Sequence, residues 1–407
     1  MADAPGIRIT STDDLQRSRL TVFFRLILAI PHLLWLSIWT SGMVLISPVM
    51  WIATLISKRP PAGLHEVYTW WIRYSVHVYA YVTLAANPFP PFLGKPGTYA
   101  IDVEIPKAGE VPEQGRWGVA FRVILALPPL ALASALGGSS SSYGGGFLIT
   151  FAFLAWFAIL ARGTMPPGME RALQYGLGYC AQAYAYLFLV TPRYPDAHPV
   201  SVAPVEALPA HPIRVTMDDD PHRSRLTIFF RLPLAIPHLI WFYLWYIVAF
   251  LAAIGMWFAT LFTGRPPGAL HRFLTRFTRY NLHLFAFLYT AAGPFPGFVG
   301  APGTYPIDLE VDGPQPQSRW RTGFRFLLAL PALLISGAIG TGAQVGAVGS
   351  WFYSLFTGRA PLGLRALMTW SLRYQAQLLG YGFMLTDVYP YSAPGPCDRV
   401  EAPPPLL

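Results

Sequence analysis

The chain has 407 residues, 54% of them hydrophobic and only 12% charged, with a mean hydropathy of +0.41. Soluble globular chains carry about 25% charged residues, so this composition excludes an ordinary soluble domain and points to an integral membrane protein. The net charge of +9 lies mainly in arginines beside apolar runs, which fits anionic lipid and argues against nucleic acid.

The first residues, Met1–Asp14, are polar and lack the basic-then-apolar pattern of a cleavable signal. Arg17-Ser-Arg-Leu-Thr-Val-Phe-Phe-Arg25 then opens a nearly uncharged stretch that runs through Pro31 and His32 to Ile56. Residues 223–263 open in the same way, on Arg223 and Arg231, and continue through Pro237 and His238. The match holds without a gap from Arg17/Arg223 to Asp102/Asp308, and such repetition is read before anything else. A fainter copy starts at Arg116, with Arg122 in the place of Arg25, and another at Arg319, with Arg325.

Each copy has the same order: Phe-Arg-x-x-Leu-Ala-x-Pro, an apolar stretch with a Trp, a Pro-Gly turn, and a second helix. We call the first stretch A and the second helix C. Helix C covers about 64–86, 169–191, 270–292 and 364–386, near the ~20 residues needed to cross hydrocarbon. Gly137–Gly146 and Gly340–Gly346 interrupt stretch A in two copies, predicting a helix followed by a shorter one there. The segments Ile7–Thr10, Tyr99–Ile105, Ile213–Thr216 and Tyr305–Val311 alternate apolar and polar residues as short strands do.

The resulting fold class is an all-α polytopic membrane protein of four tandem helical units in an ABAB duplication, with about eight spans and strand-like linkers at the membrane face. The units are residues 1–106, 107–198, 199–312 and 313–392, followed by a Pro-rich tail at 393–407. Two spans per unit would set all units the same way up, and three would invert alternate units; the similar linkers favour two. The basic A–C turns, with Arg59, Arg265 and Arg359, prefer the cytoplasm. The many Lys and Arg of the remainder, although offset there by Asp and Glu, and the missing signal pull the other way, and the balance leans to a cytoplasmic N-terminus.

The strongest candidate site is a polar seam on helix C: Arg73, Tyr74 and His77; Tyr179 and Gln182; Arg279, Tyr280 and His283; Arg373, Tyr374 and Gln377. Tyr and the following His or Gln stand three apart, on one helical face. Ionisable groups in membrane helices invite a functional reading, while interhelical hydrogen bonding accounts for them more simply. Arg25, Arg122, Arg231 and Arg325, with Arg59, Arg265 and Arg359, are candidates for lipid headgroups, and helix-end anchoring is the simpler account of them. Cys180 and Cys397 set no metal spacing, and the histidines stand apart, so neither a metal nor a cofactor is expected. No nucleophile elbow, Walker loop or HExxH motif occurs.

Arg-x-x-Leu-Ala-Ile-Pro-His at Arg25–His32 and Arg231–His238, Phe262-Thr-Gly-Arg-Pro-Pro, and Thr386-Asp-Val-Tyr-Pro390 resemble a family of bacterial membrane proteins called domain of unknown function 4389. The resemblance implies a membrane fold in a bacterial plasma membrane and implies no chemistry. Units two and four depart from it at Pro129 and Ala332. The reading is therefore a non-enzymatic, multi-pass protein that contacts anionic lipids, a membrane partner or a second copy of itself. The alternative is a transporter or pore that uses the seam.

Overall fold

The structure, a computed structural model, describes residues 6–137, 146–204, 207–218 and 220–395. Most of the Gly/Ser interruption at Gly137–Gly146, and most of the 393–407 tail, lie outside these residues. The chain divides into two compact units, Met1–Glu206 and Ala207–Leu407.

In the first unit, strand β1 (Arg8–Ser11) leads into helix α1 (Arg19–Ser57), which is followed by α2 (Ala62–Val82) and strand β2 (Ile101–Glu104). The short α3 (Arg116–Ala120), α4 (Arg122–Gly137), α5 (Phe147–Arg162), α6 (Pro167–Leu187) and α7 (Pro199–Val202) complete it. In the second unit come β3 (Ile213–Met217), α8 (Arg225–Phe229), α9 (Arg231–Thr263), α10 (Gly268–Leu288) and β4 (Ile307–Val311). They are followed by α11 (Arg319–Gly323), α12 (Arg325–Thr357) and α13 (Leu362–Gly382). The strand-like linkers form two antiparallel pairs, with Ile9 opposite Val103 in one and Val215 opposite Leu309 in the other.

Stretch A is one continuous helix in α1, α9 and α12. Its apolar residues are good helix formers, and α9 and α12 stop at Gly264 and Gly358, whose left-handed backbone (φ 72° and 71°) glycine adopts without strain. The break expected at Gly340–Gly346 does not occur, because packing overrides propensity there. Gly346 and Gly349 lie against Leu364 of α13, where missing side chains let the two helices approach.

Helices α1 and α9 bury only a narrow stripe, and α12 buries more of its surface. In α1 the buried residues are Val22, Arg25, Ala29, His32, Leu36, Met43, Met50 and Thr54, spaced three, four or seven apart. Around the rest of its circumference Leu26, Ile30, Leu34, Ile38, Leu45, Val49 and Ile52 stand exposed. Helices α1, α9 and α12 are long and apolar enough to cross a membrane, and they are the only such helices among the described residues.

Helix C exists in four copies of 21 residues each, α2, α6, α10 and α13, but it is interior. Tyr74, Tyr175, Tyr280, Tyr374 and Trp370 are fully enclosed. The expected count of eight spans does not follow, because each helix C carries charged residues that its neighbours cover. Helix α2 runs antiparallel to α1 along a ladder of polar contacts: Arg25 to the Tyr81 carbonyl, His32 to Tyr74, Trp71 to Thr40 and Tyr68 to the Met43 carbonyl.

Within each unit the two helical hairpins clasp each other reciprocally. Gln114 N–H donates to the Lys58 carbonyl at the end of α1, and Arg17 N–H donates to the Gly163 carbonyl just after α5. In the second unit Gln317 donates to Gly264, and Arg223 to Gly358. The Trp51, Trp257 and Trp351 indoles reach the Val119, Thr322 and Ile228 carbonyls at 2.7–2.8 Å. These acceptors lie where α3, α11 and α8 break from the helices that follow them. The end of one stretch A therefore meets the start of the other, so the two hairpins of a unit are oppositely directed. The similar linkers had favoured units set the same way up; the linkers turn out to run along the hairpins and carry the chain from one end to the other.

Candidate functional site

The C-terminal end of each helix C is the most elaborately built place in the molecule. All four helices are followed by a residue in the left-handed region that is not glycine: Leu84 (φ 68°), Leu189 (φ 61°), Thr290 (φ 63°) and Met384 (φ 55°). The last carbonyls of a helix have no partner within it and carry the negative end of its dipole, so a cation belongs there. Arg25 supplies one, donating to the carbonyls of Tyr81 (3.1 Å), Ala86 (2.7 Å) and Asn87 (3.2 Å). Arg231 does the same at Phe287, Ala292 and Gly293. Arg122 reaches Thr191, and Arg325 reaches Thr386.

Each of these guanidiniums also lies over the ring of the penultimate residue of helix C, Tyr81, Tyr186, Phe287 or Tyr381, at 4.0–4.4 Å. A second side chain completes each clamp. Arg17 binds the Leu84 and Ala85 carbonyls and Arg223 binds Ala291, while Gln114 binds Leu189 and Gln317 binds Met384.

Arg25, Arg122, Arg231 and Arg325, weighed as headgroup contacts, are thus 1–3% exposed and turned inward. Their correction has a plain cause, since the carbonyls at the end of helix C are nearer than any headgroup. Arg59, Arg265 and Arg359 do stand exposed, on the A–C turns.

The seam residues divide between two sides of helix C. Tyr74 and Tyr280 face stretch A, where their hydroxyls meet His32 Nδ1 at 2.8 Å and His238 Nδ1 at 3.0 Å. Arg73 and His77 face the strand pair and converge on Asp102 of β2, at 2.9 Å and 3.3 Å. Arg279 and His283 converge on Asp308 of β4, both at 3.1 Å. Gly97 and Val103 also donate to Asp102, at 2.6 Å and 2.7 Å, as Gly303 and Leu309 do to Asp308.

Burial by itself would push both carboxyls up. The His hydrogen bond and the two backbone N–H groups outweigh it and hold them below the ordinary carboxylate range. A carboxylate offers about four lone-pair directions, and here four donors meet it. Three of the donors meet Oδ1 and one, the glycine N–H, meets Oδ2, which makes the cluster a latch between linker and helix.

In the other two helices C the corresponding Gln binds backbone. Gln182 donates to the Ile7 and Ser201 carbonyls and accepts from Asp196 N–H. Gln377 donates to Ile213 at the start of β3 and accepts from Tyr391 N–H. Tyr179 and Tyr374 are buried beside them, and Arg373 donates to the Ala393 carbonyl. Arg373 and Gln377 also edge a cavity of about 230 Å³ with His211, Arg214 and Tyr391. Within each unit the seam residues therefore make several separate polar contacts.

In the sequence, Asp102 and Asp308 are marked only as the last matched pair of the long repeat, and no role is given to Gln114, Gln317 or Glu170. The signal available for the aspartates was their exact retention across the long repeat, at a fixed distance of 25 residues from His77 and His283. Among the described residues no group of three or more His, Cys, Asp or Glu is placed to hold a metal.

A family model described as Domain of unknown function (DUF4389) matches residues 19–94, 225–298 and 319–393, more than half of the chain. The chain belongs to the DUF4389 family. The matched segments each start at or near stretch A and extend past the end of helix C, so the DUF4389 unit coincides with the clamped hairpin. No curated protein and no solved structure matches the chain.

Proposed function

We propose that this DUF4389 protein is a non-enzymatic protein of the bacterial plasma membrane, anchored through its long apolar helices and touching anionic headgroups through its exposed basic turns. It is built from four copies of one clamped hairpin, the copy at 107–198 being the divergent one. The observation that carries the reading is the contrast between inside and outside. Most of the interior polar groups at the clamps and latches are hydrogen-bonded to backbone or to one another, whereas α9 leaves Leu232, Ile236, Ile240, Leu244, Ile247 and Leu251 exposed along one side. A surface of that kind belongs in hydrocarbon.

The basic turns supply the second element. Lys58, Arg59, Arg162, Arg265 and Arg359 are exposed where the long helices end, and a basic residue near an anionic surface is worth about 1 kcal/mol.

Vesicle reconstitution tests both parts. The intact chain should float with lipid vesicles. The Arg59→Gln/Arg265→Gln/Arg359→Gln protein should still float, and it should lose its preference for phosphatidylglycerol over phosphatidylcholine. An intact protein that stays in the aqueous fraction, or a triple variant with unchanged lipid preference, would refute the corresponding half.

A further inference from the structure

The geometry points to long helices that lie within one leaflet of the bilayer instead of crossing it, with the strand pairs and linkers forming a water-facing layer on the same side as both helix ends. This rests on the membrane reading above and assigns that reading a topology.

Length is the first argument. At 1.5 Å per residue, 39-residue α1 is about 58 Å long and 33-residue α9 about 50 Å, against a hydrocarbon thickness of about 30 Å. After Arg25 in α1 and Arg231 in α9 neither helix carries a Lys, Arg, Asp or Glu at which a bilayer face could fall, and the exposed Ser37 and Ser41 hydroxyls of α1 bond back to their own helix.

Chain path is the second argument, and it decides the matter. The linker that follows α2 starts at the N-terminal end of α1, where Arg17 and Arg25 hold the carbonyls of Ala85, Ala86 and Asn87. It finishes at the C-terminal end of the same helix, where Gln114 N–H meets the Lys58 carbonyl. Between those points it exposes Lys95, Glu104, Lys107, Glu110 and Glu113 and contains one strand of an open two-stranded pair. The second unit repeats the route: Arg231 holds Ala292 and Gly293 at the start of α9, Gln317 meets Gly264 at its end, and Glu310 is exposed between them.

If α1 or α9 crossed the bilayer, a charged, irregular chain with free strand edges would cross beside it. Lipid-exposed backbone of that kind does not occur in hydrocarbon, and exposed charges there are costly. Laying the helices in the plane removes the conflict. Their apolar sides sink among the acyl chains, the linker stays in water, and the arginines at the two ends of one helix, Arg19 with Arg59 or Arg225 with Arg265, reach headgroups of the same leaflet.

Site-directed labelling of the full chain in sealed membranes tests this. In a Cys180→Ala/Cys397→Ala background, single variants Arg19→Cys, Lys95→Cys, Arg59→Cys, Arg225→Cys and Arg265→Cys are treated with a membrane-impermeant maleimide, in spheroplasts and in inverted vesicles. Within each unit the positions should react from a single side, with at least tenfold preference: Arg19→Cys, Lys95→Cys and Arg59→Cys together, and Arg225→Cys and Arg265→Cys together. Reaction of Arg19→Cys and Arg59→Cys from opposite sides would overturn the inference and leave the membrane reading intact. Chain found outside the membrane fraction would overturn both.

A bimane label on Ile38→Cys, midway along α1, adds an independent readout. Lipids brominated near the headgroup should quench it more strongly than lipids brominated at the chain end. The opposite order would place the helix at the bilayer centre, and absence of quenching would show that protein, such as a second copy, covers this face. Either result overturns the proposal.

Discussion

A buried arginine is expensive, and the four clamp arginines offset much of that cost through their Nη groups, while the Nε of Arg25, Arg122 and Arg325 finds no hydrogen-bond acceptor among the described residues. Each faces the carbonyl end of a helix and the face of an aromatic ring, so its charge offsets the helix dipole in a place water does not reach. Each carbonyl left without a partner would cost about 1–3 kcal/mol, which explains why Arg25, Arg122, Arg231 and Arg325 recur where a leucine would satisfy the apolar pattern. Glu170 is a different case, present in one unit only, with Arg365 at the corresponding place of α13. Buried on α6 beside Ser11 and near Asp13, its carboxyl is pushed up to about 7, mainly by burial and then by the Asp13 charge. In the unfolded chain it ionises near the ordinary glutamate value. Between those two values the folded state keeps a proton that the unfolded state releases, so stability falls as pH rises through that window and levels off above it. Thermal melting in detergent between about pH 5 and pH 8 should show this decline, and Glu170→Gln should flatten it. An unchanged slope in the variant would assign the dependence to other groups.

Among the elements, what was legible in the sequence depended on whether the information was local. The helices C appear within a few residues of their expected places, because their Pro-Gly starts and their period are written in the chain. The strand segments were legible from alternation alone. Whether helix C faced lipid or protein was not legible, since that depends on the linker folding back over it, and the latch partners Asp102 and Asp308 lie 25 residues from their histidines. A glycine marks where the linker docks. A Cβ on Gly94 would come within 2.0 Å of the Trp70 carbonyl and 2.6 Å of Tyr74 N, the backbone of helix C itself. Gly97, three residues on, has φ +71° and open space around it. Gly97→Ala should therefore cost only the left-handed penalty of about 1–2 kcal/mol. Gly94→Ala must instead push the linker off the helix, stretching the Arg73 bond to the Gly94 carbonyl and the Asp102 latch. Hydrogen exchange should rise across residues 94–104 in Gly94→Ala and stay near the parent level in Gly97→Ala. Equal behaviour of the two would show that the linker is not packed on helix C.

For the whole molecule, the boundary that matters is the one between residues 206 and 207. The repeating hairpin suggests four equal parts, yet a single hairpin leaves half of its clasp open. Trp257 needs the Thr322 carbonyl, Trp351 needs the Ile228 carbonyl, and the end of α9 needs Gln317. Two hairpins close these contacts on each other, and the β3–β4 pair spans both of their linkers. The smallest self-sufficient piece is then a pair of hairpins, not one. Expressed alone, residues 207–407 should insert in membranes, purify as a monodisperse species in detergent, and melt cooperatively. Residues 207–312, which contain α9 and α10 but lack Thr322 and Gln317, should aggregate or be degraded. The Trp257→Phe variant of the 207–407 fragment probes the clasp itself and should lower the midpoint by several degrees, in keeping with the loss of one buried hydrogen bond worth about 1 kcal/mol. A well-behaved 207–312 fragment would show that the reciprocal contacts are not what holds a unit together, and the single hairpin would become the folding unit.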